Sequence, residues 1–231
     1  MEDRLQVLAR NLEQVQRRIE AACQRAGRLP SAVRLVAVTK YVDAATARLL
    51  WQLGVQDLGE NRPQELWRKA EAVPQARWHL VGHLQRNKVR RTLPLVHLIH
   101  SVDSQRLLEC LEAEAPPRGV DVLLEVHLSP EPSKAGFAPE ELPDIAARTR
   151  SLERVRVQGL MTMAPLTSDR DEVRRTFARL RQLRDQVRRR LGDGGAWPEL
   201  SMGMTSDFEI AIEEGATLVR IGSALFQGLE A

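Results

Sequence analysis

The chain has 231 residues, a formal net charge of +3, 43% hydrophobic and 28% charged residues. This ordinary mixture excludes a disordered or collagen-like chain, and no apolar run approaches the ~20 residues of a membrane span. Cys23 and Cys110 stand alone, which excludes a disulfide framework and a CxxC motif. The opening segment, MEDRLQVLAR, lacks the basic-then-apolar pattern of a secretory signal, so a cytoplasmic protein is expected.

The elements read clearly along the chain. Leu5, Leu8, Leu12, Val15, Ile19 and Ala22 recur at three- and four-residue spacing and predict a first helix, stopped by Gly27 and Pro30. Eight apolar strands then alternate with helices. The strands are read at Val33–Val38, Gln56–Leu58, Arg77–Val81, Leu95–Ile99, Val120–His127, Val155–Leu160, Glu199–Met202 and Thr217–Ile221. Helical periodicity fills Ala44–Leu53, Pro63–Ala72, Ser104–Glu114, Pro139–Ser151, Asp171–Leu191 and Asp207–Glu214. Eight strands with intervening helices predict an α/β fold, a single (β/α)8 barrel over residues 1–231 with an extra N-terminal helix. An open doubly wound sheet is the alternative, but no GxGxxG follows the first strand.

Of the 34 basic residues only four are lysines: Lys40, Lys69, Lys88 and Lys134. Arginine replaces lysine as a surface charge but forms no Schiff base, so the lysines of so Arg-rich a chain merit inspection. Lys40 ends the first strand, RLVAVTK. There it would meet the rim of an apolar barrel interior, where desolvation favours the neutral amine that condenses with a carbonyl. A lysine simply reaching solvent is the plain alternative.

In a barrel the site lies at the C-terminal ends of the strands, and the loops after strands seven and eight commonly bind phosphate. Here those loops read SMGMTSD (201–207) and RIGSA (220–224), combining glycine with hydroxyl residues before a helix. A lysine and a phosphate cradle together point to a phosphorylated aldehyde. Pyridoxal 5′-phosphate (PLP) fits, and so does a sugar phosphate handled by a lysine-dependent aldolase. Arg220, beside the second loop, is placed to face a pyridine nitrogen and keep it unprotonated, which weakens the ring as an electron sink. The alternative for Arg220 is an ion pair with Glu209 or Glu214.

The chain resembles the pyridoxal phosphate homeostasis proteins, single-domain PLP binders with a barrel of the alanine-racemase N-terminal type. The resemblance rests on AVTK (37–40), GENRPQE (59–65), WHLVGHLQRNK (78–88), HSVD (100–103), SPEPSKAG (129–136), GLMTM (159–163), SMGMTSDFEIAIEEGATLVRIG (201–222) and LFQG (225–228). It implies PLP held covalently on Lys40 as a Schiff base, with Arg220 facing the pyridine nitrogen. It implies Ser201, Gly222 and Ser223 around the phosphate and Asn61, His79 and Met161 lining the pocket. It also implies a monomer that buffers or delivers PLP, with apo PLP-dependent enzymes as partners and no catalytic turnover. Thr205, Arg62-Pro63, His127 and Gln227 depart from the usual pattern, and His127 leaves the role of the 129–136 loop open.

Two rival activities are weighed against this. An amino-acid racemase needs acid/base groups on both faces of the cofactor, and the sole tyrosine is Tyr41. A class I aldolase would turn over a sugar phosphate. His79 and His83 bracket a strand end without carboxylates at ligand spacing, so no metal is expected. The basic clusters RNKVRR (86–91) and VRRRL (187–191) carry no interleaved aromatics and read as solvated helix faces, so no nucleic acid is expected.

Overall fold

The computed structural model describes residues 3–128, 135–192 and 197–229. Eight parallel strands close into a barrel in sequence order. They are β1 Arg34–Val38, β2 Asp57–Glu60, β3 Arg77–Leu80, β4 Leu98–Val102, β5 Val120–Glu125, β6 Val155–Met161, β7 Glu199–Ser201 and β8 Leu218–Ile221. Helix α1 (Arg4–Arg25) precedes the barrel. The intervening helices are α2 Ala44–Gln52, α3 Pro63–Ala72, α4 Val89–Thr92, α5 Gln105–Glu114, α6 Leu142–Thr149, α7 Arg170–Leu191 and α8 Phe208–Glu213. Four register pairs, from Arg34↔Leu218 to Ala37↔Ile221, join β1 to β8 and close the barrel.

The first helix forms where its apolar stripe was expected, and its inner face buries Val7, Leu8, Leu12, Val15, Ile19 and Ala22. Its partner is the last βα unit. Arg18 pairs with Glu209 and Arg25 with Glu213, and the Arg18 guanidinium lies 4.5 Å from the Phe208 ring centre. Buried Asn11 donates to the carbonyls of Leu225 (3.1 Å) and Gln227 (2.8 Å), pinning the segment that follows β8. Asp169 caps α7 through the amides of Asp171 and Glu172, and Gly192 ends it at φ 76°.

Three expectations need correction. Strand four begins at Leu98, not Leu95, because Leu95 and Val96 hydrogen-bond back to Thr92 and complete the turn that closes α4. His97 therefore precedes the strand, while His100 lies on it. The expected helix at Pro139–Ser151 divides into a 3₁₀ turn, Pro139–Glu141, and α6, with Pro143 in the first turn of α6. Strand five stops at Glu125, after which Phe137 returns to pair with Val126.

A continuous apolar layer fills the space between barrel and helices. A smaller cluster of Val36, Leu98, Leu123, Met161 and Leu218, drawn from five strands, fills the lumen. The N-terminal end of the barrel is closed by charge. Arg34 pairs with Glu199, Arg77 with Asp57 at 2.6 Å, and Arg156 with Asp121 at 2.7 Å.

Candidate functional site at the barrel mouth

Lys40 follows β1 at the C-terminal end of the barrel, on a peptide that is fixed from below. Thr39 donates its amide to Gly59 O at 2.8 Å and its hydroxyl to Glu60 Oε1 at 2.5 Å. Lys69 Nζ donates to Thr39 O at 2.7 Å and to the same Glu60 oxygen at 2.5 Å. The desolvation expected at Lys40 is found instead at Lys69, whose side chain is 1% exposed. Lys40 itself is exposed, its ammonium 4.7 Å from the Tyr41 ring centre. Lys69 was one of four lysines in the sequence. Its place three residues after Leu66 and four before Val73, both buried, was the signal that it faces inward.

The end of β8 lies beside this shelf. Ile221 pairs with Ala37, and a Cβ added to Gly222 would sit 3.1 Å from Val38 O. Glycine lets the Gly222–Ser223 turn lie this close to the strand that delivers Lys40 without crowding the Val38 carbonyl. Gly222 is partly buried and Ser223 exposed, at the start of a 3₁₀ turn, Ser223–Leu225.

Arg220 is buried on β8 and donates to Ser201 Oγ at 2.6 Å and to Thr162 O at 2.9 Å. Both acceptors are uncharged. The alternative ion pair does not form: Glu209 serves Arg18, and Glu214 serves Arg174 and Arg181. Burial lowers the Arg220 guanidinium to about 10, against the opposing pull of Asp207 and Glu125.

Ser201 and His79 are both fully buried, and Ser201 is in contact with Arg220. Ser201 Oγ contacts His100 Nδ1 at 2.8 Å, His100 Nε2 contacts His79 Nδ1 at 2.9 Å, and His79 Nε2 contacts Asp57 Oδ1 at 2.9 Å. Burial pushes the His79 imidazole below its ordinary range, partly offset by Asp57. Burial pushes His100 well below it, helped by His79 and Arg220. Met161 packs within the lumen. Asn61 stands partly exposed just past β2, where Gly82 presses against its backbone.

A cavity of about 710 Å³ opens beside these residues, over the loops that follow β3, β5, β6 and β7. Met163, Leu166 and Met204 give it apolar walls, and Glu125 and Asp207 give it carboxyls. Lys40, Asn61, Arg220, Gly222 and Ser223 are not among the residues that line it. Burial and the neighbouring Asp103 raise Glu125 to about 7, although Arg220 and His83 oppose this. Burial also raises Asp207, whose carboxylate accepts from the Met204 amide at 2.6 Å. Sequence reading passed over Glu125. Its signal was strand alternation, which puts Leu123 and Glu125 on one face of β5.

His83 Nδ1 lies 2.8 Å from Asp103, and among the described residues no group of three His, Cys, Asp or Glu side chains is arranged to hold a metal ion. The RNKVRR cluster forms a 3₁₀ turn and α4, with Lys88 and Arg91 lying over the Trp67 ring. No described helix is long and apolar enough to cross a membrane. Lys134 and most of the 129–136 loop lie outside the described residues.

Residues 6–230 match the family model described as alanine racemase, N-terminal domain. A pyridoxal phosphate homeostasis protein of Aquifex aeolicus is 42% identical over 93% of this chain and 95% of its own length. PipY of Synechococcus elongatus, a structure with PLP bound, is 35% identical with a TM-score of 0.83, over 95% of this chain and 99% of that one. Alanine racemase of Corynebacterium glutamicum is 16% identical with a TM-score of 0.75, over 98% of this chain and 63% of that one, and shares the fold alone. The barrel thus belongs to the alanine racemase N-terminal domain family, and within it to the pyridoxal phosphate homeostasis proteins.

Proposed function

We propose that this chain binds PLP at the barrel mouth, attached through Lys40, and keeps the cofactor available to other proteins without turning over a substrate itself. The observation that carries this reading is Arg220. It is a buried guanidinium bonded only to uncharged acceptors, on the strand between the Lys40 shelf and the Gly222–Ser223 turn. Such a donor suits a neutral ring nitrogen. A bound PLP supplies an aldehyde for imine formation and a pyridine ring that Arg220 leaves unprotonated and weakly electron-withdrawing.

Each residue then has a role. Lys40 would hold the cofactor through its amine, which can condense with an aldehyde with loss of water. Gly222 lets the turn approach, and Ser223 offers a hydroxyl to the phosphate. Asn61 contributes from the end of β2. Ser201 and His79 act through Arg220, and Met161 packs below. The mouth stays accessible through the adjoining cavity, which suits entry and departure of the cofactor. Tyr41 supports the carrier reading over a racemase, since the chain's one tyrosine lies beside the Lys40 ammonium and not across from it. We place this activity in the cytoplasm, in a monomer, with apo PLP-dependent enzymes as recipients.

The test is borohydride reduction of the PLP-loaded protein followed by peptide mass mapping. The label is expected on Lys40 and the long-wavelength absorbance is expected to vanish in Lys40→Ala. A label mainly on Lys69, Lys88 or Lys134 would sink the assignment. Incubation with L- and D-amino acids is expected to give no turnover at enzymatic rates.

A further inference from the structure

Four buried side chains join Arg220 to the closed end of the barrel: Ser201 on β7, His100 on β4, His79 on β3 and Asp57 on β2. The chain of contacts crosses the lumen in steps of 2.6, 2.8, 2.9 and 2.9 Å. We infer that these residues form a one-way hydrogen-bond relay, with both histidines in the Nε2–H tautomer, and that the relay fixes the position and donor strength of Arg220 at the mouth.

The two ends set the polarity. A guanidinium has no acceptor, so Arg220 must donate to Ser201 Oγ. Asp57 holds Arg77 on its other oxygen at 2.6 Å, and a carboxylate only accepts. His79 Nε2 must therefore carry the hydrogen that faces Asp57. A neutral His79 then accepts at Nδ1, so His100 donates from Nε2. His100 in turn accepts at Nδ1 from the Ser201 hydroxyl, whose oxygen is left to accept from Arg220. Every contact has one donor and one acceptor. The opposite order would set the His79 Nε2 lone pair against the Asp57 carboxylate and is excluded by repulsion.

Protonation of either ring would undo this order, and His79 is the ring that touches a carboxylate. The groups around that ring are Asp57, His97 at 5.6 Å between ring centres, His100, and the cations Arg34 and Arg77. Only Asp57 among them favours the charged ring, and His79 is fully buried. The neutral relay is the state that matches its surroundings.

The consequence for Arg220 is geometric. Ser201 Oγ and Thr162 O take one N–H from each terminal nitrogen and fix the guanidinium plane. The polarised relay strengthens the Ser201 oxygen as an acceptor, because that hydroxyl donates its hydrogen bond into a chain that ends on a carboxylate. This step rests on the reading that Arg220 faces the ring nitrogen, whereas the tautomers do not.

The experiment has two arms. Long-range ¹H–¹⁵N spectra of the PLP-free protein, assigned with His79→Gln and His100→Gln, are expected to show both rings neutral and protonated at Nε2. An Nδ1–H tautomer or a doubly protonated ring at neutral pH in either position overturns the relay. The second arm compares Ser201→Ala with Ser201→Thr. The alanine variant is expected to bind PLP about tenfold more weakly, with a shifted absorbance maximum, and threonine is expected to restore both. Expected tautomers with unchanged affinity and absorbance in Ser201→Ala would overturn the positioning role. A parent protein that takes up no PLP would sink the reading of the mouth and leave the tautomers to decide the relay.

Discussion

Lys69 and Lys40 flank a single peptide and differ in every respect that matters to their chemistry. Lys69 is buried, donates to Thr39 O and pairs with Glu60, whose second oxygen has no described partner. Lys40, one residue beyond Thr39, is exposed, and among the described residues its ammonium meets only the face of Tyr41. On the proposed reading, burial of a lysine is not what marks the reactive amine in this fold. Here the buried lysine anchors the shelf, and the exposed one beside it is the amine proposed to condense with PLP. The same contrast separates two carboxyls. Glu60 is matched by a cation, whereas Glu125 faces a cavity with no cation in contact among the described residues.

The largest effect should come from breaking the anchor. Lys69→Met leaves Glu60 buried without its partner and is expected to cost about 3–5 kcal/mol, read by urea unfolding. Lys40→Ala should stay within about 0.5 kcal/mol of the parent in the same experiment while losing bound PLP. Adding Glu60→Leu to Lys69→Met should recover much of the loss, since removing both charges avoids the orphan. If the two single variants were equally stable, Lys69 would not be an anchor and the contrast would fail.

Much of this frame was legible in the sequence and some of it was not. The helix at Pro63–Ala72 has the bounds that periodicity gives it, and β1 and β5 start within a residue of theirs. Local apolar spacing suffices for that, because each element buries one face against the next. The position of Lys40 was legible too, since the end of a strand is a local property. The relay beneath Arg220 was not. His79, His100 and Ser201 meet only when β3, β4 and β7 curve around a common lumen, so pairwise spacing along the chain carries no trace of it. The 2.0-residue period does put each of them on an inward face, and polar side chains on such faces were the available warning.

The next effect tests how far the anchoring of the mouth extends. Asn11 on α1 ties down the chain after β8 through two carbonyls. Asn11→Ala leaves both unsatisfied at a cost of about 1–3 kcal/mol. It is also expected to weaken PLP binding, since the tied segment continues from the Ser223 turn. Weakened stability with unchanged affinity would show that the extra helix supports the barrel and not the site.

A smaller pair of changes sharpens the free side of the contrast. Ser223→Ala removes the hydroxyl proposed to hold the phosphate and should weaken PLP about tenfold. Gly222→Val should weaken it further, because a Cβ there meets Val38 O at 3.1 Å and must push the turn away from the Lys40 strand. Titration of PLP into both variants ranks them. A valine variant that binds better than the alanine variant would move the phosphate away from this turn.

The smallest effect concerns the unmatched carboxyl. Glu125 rises from an ordinary 4.5 to about 7 in the folded protein through burial and Asp103, with Arg220 and His83 opposing. A folded pKa above the unfolded one means that the native state holds a proton the unfolded chain has lost between pH 4.5 and 7. Its contribution to stability is thus complete below pH 4.5 and disappears as pH rises through 7. Glu125→Gln carries no ionisable proton and should not lose stability in that window. His79 and His100 slope the other way, because their lowered folded pKa values favour the native state above the ordinary 6.5 and lose that advantage as pH falls below it. The parent curve mixes these slopes, so the informative quantity is the difference in Tm between parent and Glu125→Gln from pH 4.5 to 8. That difference should change steadily through the window and level off above it, with a size held down by solvent reaching the cavity. A difference independent of pH would mean that Glu125 titrates as an ordinary surface carboxyl, and that an unmatched acid at the mouth is no more perturbed than one in water.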